Sequence, residues 1–395
     1  EDNHFTFLGF CEYSLVPGQT TIKRSLVSQE GLGILRDPLT QEITHIFEGI
    51  ELTPTNRHYI LEQDPLLVTK TTQISFVHRR DPMDSITIKR FDKSGKVVGL
   101  YQFVGLFTSV AYNRSTKDIP LLRRKVSRII KRSGFSEQWH DGKALIHILE
   151  SFPRDELFQA SEDWLFETCM AILQLQYRQR LTLFIRPDKF ERFVSCIVYV
   201  PRERYDSELR QKIGEILTRD LNGTITNWQI QLGELAFVRI HFSLKLLHKG
   251  NLSFDLKAIE EKLVETSLTW RDHLHQALFE TSGEEKGQRL FERYGKGFSK
   301  GYQERFTANE AIIDIYEIEQ AFAKSRLRSY LSHMERRDEN TLKFKIYSLE
   351  GSVSLSDVLP VLENMNLKVL NEIPFGVILS DDQKVWIHDF EVQTR

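Results

Sequence analysis

A thiol followed by two guanidinium groups is the first arrangement in this chain with reactive potential. In FERFVSCIVYVPRERY (residues 190–205) Cys196 lies in an apolar run, and Arg202 and Arg204 come just after it. A nearby cation favours the thiolate, the nucleophilic form. Alternation, however, places Val194, Cys196, Val198 and Val200 on one face of a strand and Phe193, Ile197 and Tyr199 on the other. Both faces are apolar, so the strand is expected to be covered on both sides. Cys196 then belongs to the core, and the arginines fall beyond the strand end as docking or solvated charges.

Other candidates weaken in the same way. YGKGFSKGYQERF carries Gly295, Gly297 and Gly301. A dinucleotide loop must follow a buried strand, and EKGQRLFER before it reads as helix, which makes the run an interhelical loop. His273 and His275 are two positions apart on a helical pattern and point away from each other, so they cannot share a metal ion. His58, His140 and His388 stand alone and read as structural. No P-loop or H-E-x-x-H motif occurs. Arg124, Lys125, Arg128, Lys131 and Arg132 form a basic face without aromatic interleaving. That face reads as solvated or domain-docking rather than nucleic-acid-binding.

The elements that would position these groups change character along the chain. HFTFLGFCEYSL reads as a strand and residues 85–110 as a hairpin turning at Lys93, Ser94 and Gly95. EGLGIL, a loop around Pro54 and the strand-like LLVTKTTQISFVHR lie between them. Residues 1–112 are therefore expected to be one antiparallel α+β domain. DIPLLRRKVSRIIKRSG is a helix with Leu122, Val126, Ile129 and Ile130 on one face, Pro120 in its first turn and Gly134 at its stop. Helices continue through 113–177. Residues 178–245 read as strand, strand, helix, strand, strand, a ferredoxin-like or ACT-like sandwich. A helical segment at 246–340 includes NEAIIDIYEIEQAFAKSRLRSYLSHM. Residues 341–395 read as a second ACT-like unit, truncated by one helix and one strand.

Composition sets the outer limits. Fifty-three basic against fifty-five acidic residues give a formal net charge of -2, which excludes global attraction to nucleic acid or an anionic membrane. Cys11, Cys169 and Cys196 form no C-x-x-C pair, so a reducing cytoplasm is expected, with neither zinc ribbon nor disulfide framework. No apolar run approaches the ~20 residues of a membrane span. The chain opens EDNHFTFLGF without Met and almost directly in a strand, the expectation for a piece of a longer protein.

FERFVSCIVYVPRERYDSELR, the run VGLFTSVAYNRSTKDIPLLRRKVSRIIKRSGFSEQWHDGKALIHILESFPRDELFQASED, and SDVLPVLENMNLKVL leading to VWIHDFEV resemble the large-class NAD-specific glutamate dehydrogenases of bacteria. HFTFLGF and YGKGF are similar to that family as well. The resemblance implies an α+β, multi-domain N-terminal region, with a PAS-like antiparallel domain and ACT-like sandwiches joined by helical segments. It implies a separate catalytic domain that binds NAD and deaminates glutamate to 2-oxoglutarate and ammonia. Neither that domain's catalytic lysine nor its Rossmann loop has a counterpart here, so no catalytic, cofactor-binding or metal-binding residue is assigned. The implied partners are the protein's own catalytic domain, sister subunits and an amino-acid effector.

An effector would be received at SLEGSVSLSDVL (residues 348–359), where ACT domains that bind amino acids offer a glycine-containing loop and a helix N-terminus. Glu350, Gly351, Ser352, Ser354 and Ser356 are the candidate residues, with Gly351 allowing close approach and Ser354 or Ser356 capping the helix. Leu349 and Glu350 stand where that pattern commonly has an acidic residue and a proline, and Glu350 would repel a carboxylate.

Overall fold

Period-two burial in FTFLGFCEYSL builds the first strand, β1 (Phe5–Leu15), which turns Cys11 and Tyr13 into a core where both are fully enclosed. The computed structural model describes residues 4–15, 22–24, 31–36, 54–175, 180–190, 192–232, 236–247, 254–333 and 341–394. The chain falls into two units, Glu1–Thr266 and Ser267–Arg395.

In the first unit, β1 is joined by β2 (Ile22–Arg24), β3 (Leu32–Gly33), α1 (Pro54–Leu61), β4 (Leu66–Ile74), β5 (Pro82–Phe91) and β6 (Val97–Phe107). The strands form one antiparallel sheet in the order β2-β1-β6-β5-β4, with β3 also on β1. The β5–β6 turn is the expected one. Asp92 Oδ1 accepts the Ser94 and Lys96 N–H groups at 2.8 and 2.9 Å, and Gly95 supplies a φ of 82°. The expected loop around Pro54 is instead α1, with the proline at the position where a helix needs no N–H. Glu30 of EGLGIL lies outside the described residues.

α2 (Ser109–Asn113), α3 (Pro120–Ser133), α4 (His140–Ser151), α5 (Arg154–Gln159) and α6 (Glu162–Leu175) follow. α3 buries Leu122, Val126, Ile129 and Ile130 and stops at Gly134, φ 71°. The helices share one core with both neighbouring sheets. It includes Val68 and Phe107 of the first sheet and Ile197, Tyr199 and Phe237 of the second, with Phe107 stacked on Phe158 at 4.3 Å. The basic face of α3 is tied in part to neighbouring helices, while Arg124 and Lys131 are exposed. Arg128 reaches Glu162 at 2.9 Å, Arg132 reaches Asp163 and lies over the Phe166 ring, and Lys125 turns inward to α5.

The second sheet contains β7 (Thr182–Pro187), β8 (Phe193–Pro201), β9 (Gly223–Leu232) and β10 (Phe237–Leu246). α7 (Ser207–Asp220) lies between β8 and β9, and α8 (Leu256–Thr266) follows β10. The strand, strand, helix, strand, strand reading matches this order. The antiparallel sheet runs β7-β8-β10-β9. That is a ferredoxin-like sandwich whose outer strand enters the chain first rather than last. β8 is covered on both faces: Val194, Cys196, Val198 and Val200 pack with α7 and α8, while Ile197 and Tyr199 pack with the preceding helices.

The second unit holds α9 (Trp270–Ser282), α10 (Glu284–Tyr294), α11 (Lys300–Arg305), α12 (Ala308–Lys324), β11 (Leu327–His333), β12 (Thr341–Ser348), α13 (Leu355–Asn364), β13 (Leu367–Ile378) and β14 (Lys384–Thr394). Thr269–Asp272 and Thr307–Glu310 capping boxes start α9 and α12. Here the sequence reading needs correction. The helix expected through LRSYLSHM ends at Lys324, and Leu327–His333 is a strand, with Met334 outside the described residues. Among the described residues the C-terminal sheet has four strands, β11-β12-β14-β13, and β11 comes from the segment expected to be helical. Gly295 and Gly297 lie in the expected interhelical loop, whereas Gly301 falls inside α11. A Cβ at Gly297 would fall 2.5 Å from the Ile378 carbonyl oxygen, so only glycine allows that approach.

Candidate functional site

Cys196 is fully buried. Burial, reinforced by the Glu156 charge, pushes its thiol far above the usual range, and burial pushes Cys169 up to about 12. Arg202 and Arg204 lie in a 3-10 turn past the strand end, with Arg202 exposed. The thiolate has no support, so Cys196 is core.

One position away, the other face of β8 holds an arrangement that the sequence reading passed over. Ser195 Oγ lies 2.8 Å from His241 Nε2 on β10, and Glu156 Oε1 from α5 is 3.7 Å from the same nitrogen. A hydrolytic triad needs its acid on the opposite ring nitrogen, so that the imidazole can pass a proton from serine to leaving group. Here serine and acid compete for Nε2. Arg186 on β7 also grips Glu156, with Nη2 donating to Oε1 at 3.0 Å. Burial opposes ionisation of Glu156, but the Arg186 charge outweighs it and holds the carboxyl below its usual range. The four side chains satisfy one another and pin α5 to the sheet. A related joint ties the first sheet to the helices: Lys70 Nζ contacts Asp84 and Asp155 at 2.9 and 3.2 Å, and the Tyr112 hydroxyl donates to Asp155 at 2.6 Å.

A third buried cluster lies in the second unit. Lys345 Nζ donates to both oxygens of Asp314 at 2.8 and 2.6 Å, the Tyr347 hydroxyl donates to Oδ1 at 2.7 Å, and the Tyr302 hydroxyl donates to Oδ2. Lys345 also sits 3.9 Å from the Phe306 ring centre. Asp314 is completely enclosed and Lys345 is 5% exposed. The pattern had one readable sign: Asp314 falls on the buried face of α12 with Ala311, Ile315 and Ile318.

The loop before α13 brings the effector candidates together only in part. Gly351 has φ 132°, and Ser354 is at the N-cap, but its hydroxyl meets Ser356 Oγ at 2.6 Å instead of capping the helix. His388, nearly fully buried, accepts the Val353 N–H at Nε2 (3.0 Å), which places the ring proton on Nδ1 toward Glu372 at 2.8 Å. Ser352 Oγ lies 3.4 Å from the same Nε2. One backbone donor of the loop is thus already used. The charge of Glu350 is met by Arg326 at 2.7 Å. Both line an open cleft of ≈ 580 Å³ with Lys324, Lys384, Phe322 and Leu349.

The remaining candidates stay apart. His275 packs on Phe279 and Phe291 at 4.3 and 4.4 Å, and His140 is exposed beside Asp141. Among the described residues no group of three or more His, Cys, Asp or Glu side chains is placed to hold a metal, and no helix is long and apolar enough to cross a membrane.

Comparison with known proteins gives a consistent result along the chain. Four family models match: glutamate dehydrogenase helical motif 1 at 119–178, its ACT2 domain at 182–271, helical motif 2 at 277–321 and the ACT3 domain at 324–395. An NAD-specific glutamate dehydrogenase of Halomonas elongata is 35% identical over 395 residues, covering 100% of this chain and 24% of the relative. That of Pseudomonas aeruginosa is 35% identical over 98% of this chain and 24% of its own length, and that of Mycobacterium tuberculosis 28% identical over 99% and 23%. The chain thus spans about a quarter of the length of the relatives it matches.

Proposed function

The chain belongs to the family of NAD-specific glutamate dehydrogenases, and from that premise we propose that it is the N-terminal, non-catalytic region of such an enzyme, which assembles subunits and biases the catalytic domain between conformations. The parent's reaction is the NAD-dependent oxidative deamination of L-glutamate to 2-oxoglutarate and ammonia, with NAD bound outside this chain. Its partners are its own catalytic domain and sister subunits in a homo-oligomer, in the cytoplasm, where its buried free thiols stay reduced. The match of four successive family segments, all ACT or helical motifs, carries this reading. The buried polar joints fit an assembly role: each clamps one element against another within its unit.

The first sheet is read as the PAS-like domain, supported by its antiparallel order β2-β1-β6-β5-β4. Its interior holds the enclosed side chains of Cys11, Tyr13, Leu67, Leu100 and Val104. The purified chain given glutamate and NAD is expected to produce no NADH. Sustained glutamate-dependent NADH formation would place catalytic groups here and end the proposal.

A second reading, an amino-acid-sensing module without catalytic activity, is favoured by one observation: Glu350, Arg326, Lys384 and Lys324 line the same cleft, a mixture of signs suited to a zwitterion. Glu350, Gly351, Ser352, Ser354 and Ser356 would form its rim. A ligand there regulates only through unequal affinity for two states of the enzyme. Calorimetry against a panel of amino acids is expected to give heat that Gly351→Val reduces; heat that survives the substitution in a folded variant moves the site elsewhere.

A further inference from the structure

One side chain in the core of the first sheet is delivered by the second. The cluster that holds Ile60, Leu67, Met83 and Val104 also encloses Phe190, which is 5% exposed. Phe190 lies between β7 and β8 of the second sheet. Among the described residues it is the one enclosed member of that cluster from beyond residue 107. Loops ordinarily run over the surface, so a loop that plants an aromatic ring in another core has a further task.

The loop is shaped by its own residues rather than by the core that receives it. The Asp188 N–H donates to the Phe193 carbonyl at 2.8 Å and closes the turn. The Asp188 carboxylate accepts the Phe190 N–H at 3.2 Å and the Arg192 guanidinium at 2.8 and 3.2 Å. Both members of this ion pair are buried, and Arg192 lies over the Phe190 ring at 5.0 Å. The Arg192 carbonyl accepts the Leu246 N–H at 3.0 Å, so the end of β10 holds the loop as well. Glu191 lies outside the described residues. Beside Phe190, Lys189 covers the Tyr59 ring of α1 at 5.4 Å. Burial lowers the pKa of Lys189, and the carboxylates of Glu62 and Asp64 just past α1 oppose that shift, an attraction across the joint.

We infer that this loop is a strap that couples the first two sheets: Phe190 is a plug that enters or leaves the first core together with its Asp188–Arg192 clamp, so that a shift in either sheet is felt in the other. The Phe190 backbone and the Arg192 guanidinium share one carboxylate, which makes plug and clamp a single body. Packed joints of this kind take discrete positions rather than a continuous range. An enclosed ion pair adds little net stability, and its best-attested use is to fix one arrangement. Here that arrangement aims the ring. Opening would expose apolar surface of Phe190 and of the first core at once, which favours the closed state. The strap is a direct route between the sheets, beside the one through α5, where Asp155 meets Lys70 of β4 and Glu156 meets Arg186 of β7. It goes beyond the assembly role and does not depend on it.

Hydrogen exchange on the whole 395-residue chain tests the strap. Phe190→Ala is expected to speed exchange in peptides from α1, β5 and β6 by about tenfold or more, while β9 keeps its rate. Asp188→Ala with Arg192→Met removes the clamp without stranding a charge. It is expected to loosen the same first-sheet peptides, although neither side chain belongs to that core. Added to Phe190→Ala it should have no further effect there, because the clamp acts through the ring. Phe190→Leu keeps an apolar plug and should retain most of the protection. Reciprocity separates coupling from simple contact. Val104→Ala in the first core should speed exchange across residues 185–194 in the parent and leave it unchanged when Phe190 is alanine. Where Phe190→Ala does not fold, the clamp variant takes its place in that comparison. First-sheet exchange unchanged in both Phe190→Ala and the clamp variant, additive effects in their combination, or transmission from Val104→Ala that survives loss of the plug would each overturn the strap.

Discussion

Asp314→Ala is expected to destabilise the Ser267–Arg395 unit by about 3–5 kcal/mol, the loss typical when one partner of a buried ion pair is removed. The carboxylate is the common acceptor of Lys345, Tyr302 and Tyr347. Its removal leaves an ammonium and two hydroxyls buried without their acceptor, beside a cavity. Lys345→Met should be milder, because the two tyrosine hydroxyls still hold the carboxylate and the methionine fills the space beside the Phe306 ring. Urea unfolding with hydrogen exchange read on peptides from α12 and β12 checks both. A loss below about 1 kcal/mol for Asp314→Ala would mean that the cluster is hydrated in solution.

Lys125 makes the stability of the first unit depend on alkaline pH. Its ammonium donates to the carbonyls of Leu157 (2.8 Å), Phe158 (3.3 Å) and Ala160 (2.8 Å), at the negative end of α5. Burial, with the charge of Lys189 second, pushes its pKa down to about 8. An unfolded lysine titrates near ~10.4. Between these values the unfolded chain binds more protons than the folded one, so this residue's contribution rises with pH through the window. It is complete above the unfolded pKa and is lost as pH falls through about 8. Cys169, pushed up to about 12 by burial, acts in the opposite direction once an unfolded thiol ionises. The informative quantity is therefore the difference between the parent chain and Lys125→Met. That difference should change by on the order of 3 kcal/mol between pH 7 and pH 11. A difference independent of pH would mean that Lys125 keeps an ordinary pKa.

Local signals in the sequence located most elements. The face of α3, the Asp92–Lys96 turn and the two-sided burial of β8 follow from periodicity and turn chemistry within a few residues. β11 escaped because LRSYLSH follows a long helical pattern and owes its extended form to β12, its partner across residues 334–340. The polar clusters escaped for a related reason. Glu156, Arg186, Ser195 and His241 come from four elements, and no spacing announces that a glutamate on a short helix will meet a histidine on β10. The effector loop was legible as a strand-to-helix turn. That Val353 gives its N–H to His388 was not, since the two residues are far apart in the chain.

The position of β7 and β11 at the beginning of their sheets has a kinetic consequence. With the outer strand entering first, each sheet consists of two sequence-neighbouring pairs, β7 with β8 and β9 with β10, or β11 with β12 and β13 with β14, joined by one seam between pairs. Had the same strand entered last, its bond to the first central strand would span the whole domain. Loop closure must precede each such bond, so the arrangement lowers contact order and raises the folding rate. As the chain leaves the ribosome, β7 can pair as soon as β8 appears, and each sheet is half built before its second pair is synthesised. Early closure of each sheet shortens the time that a nascent edge remains open to other segments.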